Sequence, residues 1–205
     1  MSEFEDNTGL KETEKVEFDR FRQELAPYFE QLNKIGLKIL IWGPGEGTHY
    51  YTKRDEIKEC LRIKNSNDEV ATSEDLLRQV SHPSQLDAVQ AEMLHAGVAD
   101  VIFGLVTSDP QQTGIYMEVD NLLRFDSLIN KTWLIVPDNR DWKKVGSFIQ
   151  QPILRSFPSY RMKPFRTKVL EQCEQVRRFC LDKVAEERSR RMRKYVYDQL
   201  SGAHV

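Results

Sequence analysis

The chain has 205 residues, of which 40% are hydrophobic and 30% charged, and its formal net charge is −2. That length supports one domain with a full core plus extensions, and the composition fits a soluble globular protein. The near-balance of charge gives no global attraction to nucleic acid or to an anionic membrane, and no apolar run approaches the ~20 residues that span a bilayer. The opening Met1-Ser-Glu-Phe-Glu-Asp6 is acidic, the wrong sign for a secretion signal, so a cytoplasmic location is expected. Cys60, Cys173 and Cys180 form no Cys-x-x-Cys pair and read as reduced and buried. The histidines are scattered without ligand spacing, so neither a metal site nor a cofactor is expected.

Residues 1–12 are dense in charge and broken by Asn7-Thr8-Gly9. From Glu12 to Leu32 the spacing predicts a helix whose apolar stripe is Phe18, Phe21, Leu25, Tyr28, Phe29 and Leu32, with Pro27 as a kink. After Gly36, Lys38–Trp42 reads as a buried strand. Gly43-Pro-Gly-Glu-Gly47 follows as a loop that lets a ligand approach backbone, or merely as a chain reversal. It lacks the Gly-Lys-Ser/Thr of a phosphate-binding P-loop. Arg54–Ile63 is predicted helical with Ile57 and Leu61 inward. Glu69–Thr72 is a short strand, and Ser73-Glu-Asp-Leu76 carries a capping sequence for a brief helix. Ser84–Ala96 is the next helix, with Leu86, Val89, Met93 and Leu94 inward and with Asp87 and Glu92 as its acids.

Val101–Val106 is a continuous apolar, β-branched run, as expected of a strand buried on both faces of a parallel sheet. Thr107-Ser-Asp-Pro110 ends it with turn formers. Gly114–Leu123 then reads as a helix, with Ile115, Val119, Leu122 and Leu123 at core spacing and Glu118 in its first turns, where the helix dipole favours a carboxylate. Strand, polar loop and helix in this order are where open α/β sheets place ligands. Lys131–Val136 is a further strand. Trp142–Gln150 is expected to be helical, Pro152–Pro164 mostly loop, and Phe165 to about Leu200 one long helix with Val169, Cys173, Val176, Cys180, Val184 and Ala185 as its stripe. From Arg155 onward there are thirteen Lys/Arg against six Asp/Glu. The densest patch, Arg188–Lys194, reads either as a phosphate contact or as a solvated face pairing with the acidic N-terminal helix, and the second reading is preferred because few aromatics are interleaved.

The alternation predicts an α/β fold, a flavodoxin/Rossmann-like parallel sheet with helices on both faces, plus N- and C-terminal helical extensions. The expected division is residues 1–36, 37–160 and 161–205.

Asp100-Val-Ile-Phe-Gly, the polar loop, Thr113-Gly-Ile-Tyr-Met-Glu118 and Lys131-Thr-Trp-Leu-Ile-Val-Pro137 resemble the nucleoside 2-deoxyribosyltransferase family, including its deoxynucleotide N-glycosidase branch. Ile39-Leu-Ile-Trp-Gly-Pro-Gly45 is similar to that family's first strand and loop. The resemblance spans roughly residues 37–140 and leaves both terminal helices without counterpart. TIR-type NAD glycohydrolases, which also use one glutamate, are a more distant relation with similar architecture. The resemblance implies Glu118 as the nucleophile and Glu92 as the acid that engages the base or leaving group. Two positions depart from the pattern: Gln112 stands where the transferases carry a sugar-binding Asp, and Ile41 replaces a tyrosine.

Cleavage of an N-glycosidic bond passes through an oxocarbenium-like state, so one carboxylate near the anomeric carbon stabilises it or forms a glycosyl intermediate. A second acid, Glu92 or Asp87, helps the base leave. Asp109, Gln112, Gly114 and Asn121 are candidates for the sugar side. Gly43, Gly45, Tyr51, Lys53 and Arg54 are candidates for base and 5′-phosphate, the tyrosine by stacking and the cations by charge. The expected function is cleavage or transfer at the N-glycosidic bond of a nucleoside or nucleotide. The alternative is a catalytically silent nucleotide sensor or interaction module on the same fold. A homo-oligomer built through the terminal helices is expected, with neither membrane nor nucleic acid as partner.

Overall fold

The computed structural model describes residues 16, 20, 23, 26–27, 30–48, 51–79, 88–107, 123–137, 145, 147–165 and 174–200. Five strands form one sheet: β1 Lys38–Trp42, β2 Glu69–Thr72, β3 Val101–Leu105, β4 Thr132–Pro137 and β5 Met162–Phe165. All neighbours are parallel, in the order β2-β1-β3-β4-β5. This is the doubly wound, flavodoxin-like order, whose strand sequence reverses between β1 and β3. Residues 30–34 are helical, and six further helices are described: α1 Tyr51–Lys64, α2 Ser73–Gln79, α3 Ala88–Val98, α4 Asp126–Ile129, α5 Ser147–Ser156 and α6 Glu174–Leu200. None of them is long and apolar enough to cross a membrane.

Why the strands read as continuous apolar runs follows from the two cores. Leu40, Trp42, Ile102, Leu134 and Val136 point to one face, where Ala96, Leu128, Ile153 and Phe157 cover them. The alternate residues Ile39, Ile41, Val101, Phe103, Leu105 and Ile135 point to the other, against Ile57, Leu61, Val176, Cys180 and Val184. β3 is central, and all five of its residues are buried. At Gly104 a Cβ would meet Leu134 Cδ2 at 2.7 Å, so a larger residue there would make the end of that side chain shift.

Several sequence expectations are corrected. Residues 152–164 are not mostly loop: Pro152 lies inside α5, a short 3-10 turn spans Ser159–Arg161, and β5 follows. Pro164 is tolerated because β5 is an edge strand, where a missing N–H breaks no internal ladder. Phe165 therefore ends a strand rather than opening the last helix, and the sheet itself continues past residue 160. α6 is less an extension than a layer of the sheet, since Val176, Cys180 and Val184 complete a core, whereas Ala185 is exposed. Leu94, expected inward, is 60% exposed on α3. Cys180 is buried as expected, but Cys60 is only half-buried, and neither is in a disulfide. Cys173, Val169, Leu86 and the stripe from Phe18 to Phe29 lie outside what is described.

The basic patch of α6 has partners other than the acidic N-terminus. Asp68 Oδ1 accepts the Leu37 N–H at 3.1 Å, while its Oδ2 pairs with Arg188, whose Nε also donates to the Ile35 carbonyl at 3.1 Å. Asp100 repeats the device, accepting the Lys38 N–H at 2.8 Å and pairing with Arg191. Each aspartate thus ties the start of β1 to α6. Lys131 donates to the Gly97 and Ala99 carbonyls at 2.6 and 2.8 Å, satisfying orphan acceptors at the end of α3. Burial pushes the Lys131 ammonium down from its usual range, and the neighbouring Asp100 charge opposes that. Asp100 and Lys131, two residues that carry the family resemblance, therefore work at the N-terminal edge of the sheet.

Candidate functional site

The opposite edge, where β1, β2 and β3 end, holds the candidate site. Trp42 closes β1 and Gly43 turns the chain out. A Cβ on Gly43 would lie 2.9 Å from Leu105 Cβ, so glycine lets this loop pack against the end of β3. The loop then folds on itself: Thr48 donates through N–H and Oγ1 to the Gly45 carbonyl at 3.2 and 2.8 Å, and Gly47 takes a left-handed φ of 86°. The Tyr51 N–H, bonded to the Thr48 carbonyl at 3.2 Å, starts α1.

Arg54, in the first turn of α1, is 2% exposed. A cation so near a helix N-terminus is disfavoured by the dipole and, when buried, by desolvation, so it needs a counter-charge. Glu74 supplies it from the first turn of α2, directly after β2. Arg54 Nη1 donates to Glu74 Oε1 at 2.9 Å and lies 2.9 Å from Oε2, and the Tyr51 ring stacks on the guanidinium at 5.0 Å. The glycine loop sits over this pair, since a Cβ on Gly45 would be 3.6 Å from Glu74 Oε1. Lys53 turns away to Glu56 at 3.0 Å.

Next to Glu74, Asp75 Oδ2 accepts from the Thr72 N–H and hydroxyl, both at 2.9 Å, and pairs with Lys58 at 2.7 Å. Burial pushes the Asp75 carboxyl up, but the Lys58 and Thr72 donors together hold it below the ordinary range. On the other side, Ser73 donates to Glu92 from the half-buried flank of α3. The Glu92 carboxylate therefore reaches the sheet edge instead of standing on an open helix face.

Among the described residues, the buried side-chain polar atoms without a hydrogen-bond partner include Trp42 Nε1, Arg54 Nε and Glu74 Oε2, the last still within the ion pair to Arg54. An orphaned buried donor costs about 1–3 kcal/mol.

The structure brings together Gly43, Gly45, Tyr51, Arg54 and Glu92 of the sequence candidates. Glu118, Asp109, Gln112, Gly114, Asn121 and Asp87 lie outside the described residues. Trp42, Ser73 and Glu74 were not legible as site residues. Trp42 reads as core, and Ser73-Glu-Asp reads as a helix cap, which it also is. The available signal was that this cap follows a parallel strand directly, at the edge where ligands bind.

A groove of about 1350 Å³ opens at the N-terminal edge, lined by Asp100, Lys131, Trp133, Lys183 and Arg190 among others. Its charges are largely spent on one another, as in Lys183–Glu186 at 2.7 Å and the Arg190–Glu187 pair at 2.5 Å. It also lies at the wrong end of the strands for switch-point chemistry, so the smaller polar edge above is the better candidate. No protein-family model and no curated protein matches the chain.

Proposed function

We propose that the protein cleaves or transfers at the N-glycosidic bond of a nucleoside or nucleotide. The observation that carries the reading is Glu92, half-buried and held by Ser73 at the C-terminal edge of a flavodoxin-like sheet, next to a glycine loop packed on β3. A carboxyl group so placed, in its protonated form, suits general acid work beside a reacting ligand. Glu118 follows β3 in the chain by the segment that leaves this same edge. In the proposed reaction its carboxylate oxygen bonds to the anomeric carbon as the carbon–nitrogen bond breaks. The electron pair leaves with the base, which takes a proton from Glu92. Water or a second base then attacks the anomeric carbon, the carbon–oxygen bond to Glu118 breaks and releases its carboxylate, and the proton lost by the acceptor returns to Glu92.

The test is incubation with a panel of nucleosides, nucleotides and NAD, followed by chromatography for released base. Release from at least one member is expected, and binding without release from any would favour the silent sensor.

The oligomer belongs to the same reading. Near the end of α6, Tyr195 and Tyr197 are 60% and 70% exposed. A homodimer or larger assembly through the N- and C-terminal helices is expected. A monomer in sedimentation at micromolar concentration would overturn it.

A further inference from the structure

We propose that the groove at the N-terminal edge of the sheet binds the phosphate group of a small soluble ester, anchored by Arg161 and Lys183. The site is separate from the glycosidase reading, which concerns the opposite ends of the strands.

Three elements bring the anchors together. Trp133 of β4, Arg161 of the 3-10 turn and Lys183 of α6 all line the groove of about 1350 Å³. The parallel register sets Leu134 beside Met162, so Trp133 and Arg161, one residue earlier on each segment, are neighbours. Arg161 Cζ lies 4.5 Å and Lys183 Nζ 4.4 Å from the centroid of the Trp133 ring. Phe179, one turn before Lys183, meets the same ring edge-on at 5.7 Å. One indole thus gathers two cations that would otherwise repel each other.

Arg161 differs from the groove's other cations in lacking an acceptor. Lys131 donates to backbone carbonyls and Arg190 pairs with Glu187. Among the described residues, the Arg161 guanidinium has neither a hydrogen bond nor a carboxylate partner, and of its nitrogens only Nε is buried. Its two Nη groups therefore open into the groove, the half of the fork that grips a phosphate. Lys183 adds a point charge. Its partner Glu186 stands on the same helix with a side chain 61% exposed, so the pair is weak and a phosphate exchanges for it.

Charge selects the ligand. A carboxylate satisfies the Arg161 fork but carries too little charge to answer Lys183 as well, whereas a phosphate near two negative charges answers both. Asp100, Asp182, Glu186 and Glu187 also line the groove. They repel an extended polyanion or an anionic lipid surface, which brings more negative charge than the two anchors neutralise.

The test is titration calorimetry of the full chain at fixed ionic strength with glycerol 3-phosphate, inorganic phosphate and succinate. Both phosphates should bind, and succinate at least about tenfold more weakly. Arg161→Gln should weaken the phosphates about tenfold or more, the worth of charged hydrogen bonds. Its melting temperature should stay close to wild type, because no hydrogen bond or ion pair is lost. Lys183→Met keeps the stem on Trp133 and should weaken them about threefold. Arg62→Gln removes the same charge from an exposed pair with Glu59 on α1 and should change nothing. If Arg161→Gln melts far below wild type, Arg161→Lys takes its place: the charge stays, the fork is lost, and binding should still fall several-fold. Binding of neither phosphate, succinate binding as tightly, unchanged affinity in the Arg161 variant, or an equal loss in Arg62→Gln each overturns the proposal. Cosedimentation with phosphatidylserine vesicles that glycerol 3-phosphate does not reverse overturns it as well.

Discussion

Glu118→Gln is expected to lower base release by at least about three orders of magnitude, with ligand affinity and melting temperature close to the wild type. The amide keeps the size and much of the hydrogen bonding of the carboxylate but removes the charge that attacks, or stabilises, the sugar cation. Glu118→Ala should lose as much, with partial recovery on adding formate, which can reoccupy the vacated space as a diffusible carboxylate. Glu92→Gln should behave differently. A leaving-group acid matters most when the base leaves poorly unprotonated, so its loss should be smaller for an activated leaving group and should remove one limb of the pH profile. The measurement is single-turnover base release at saturating substrate. A Glu118→Gln rate within tenfold of wild type would remove that residue from the chemistry and leave the sheet edge as a binding site only.

The second large effect is on stability, at the other end of the strands. Arg188→Ala is expected to cost about 3–5 kcal/mol, because it leaves the Asp68 carboxylate buried without its cation. The side chains are 10% and 2% exposed, so solvent screens the pair little. In a domain of this size the corresponding fall in melting temperature is roughly 6–20 °C. Arg188→Met combined with Asp68→Asn should restore part of the loss, since neither partner is then a lone buried charge. Arg191→Ala should cost less than about 1 kcal/mol: the Arg191 side chain is 41% exposed and water replaces much of what Asp100 supplied. Equal effects from the two arginines would show that α6 is held by its apolar face alone, through Val176, Cys180 and Val184.

The contrast between those arginines illustrates what a linear pattern hides. Arg188–Lys194 is one dense run of charge in the sequence, yet one of its members is buried among polar partners and others pair along their own helix. Glu92 shows the same limit in the opposite sense. Nothing in its helix distinguishes it from a solvated acid until Ser73, nineteen positions earlier, is brought against it. Arg54 looked like a free cation after a glycine loop because its counter-charge, Glu74, stands twenty residues away on another helix.

The sequence by itself determined the parallel α/β class and four of the five strands. Buried parallel strands must be apolar on both faces, and Lys38–Trp42, Val101–Leu105 and Thr132–Pro137 carry that signature in every heptad-free, β-branched run. It also determined the position of the glycine loop and of the strand ends beside it. Only the tertiary structure decided the fifth strand, because Met162-Lys-Pro-Phe165 has no apolar signature and becomes a strand through the free edge that β4 offers. Only the tertiary structure decided which charges are partners, since ion pairs and orphaned donors depend on distances between segments that are far apart in the chain. Periodicity is a local property and is written in consecutive residues; electrostatic pairing and desolvation are not.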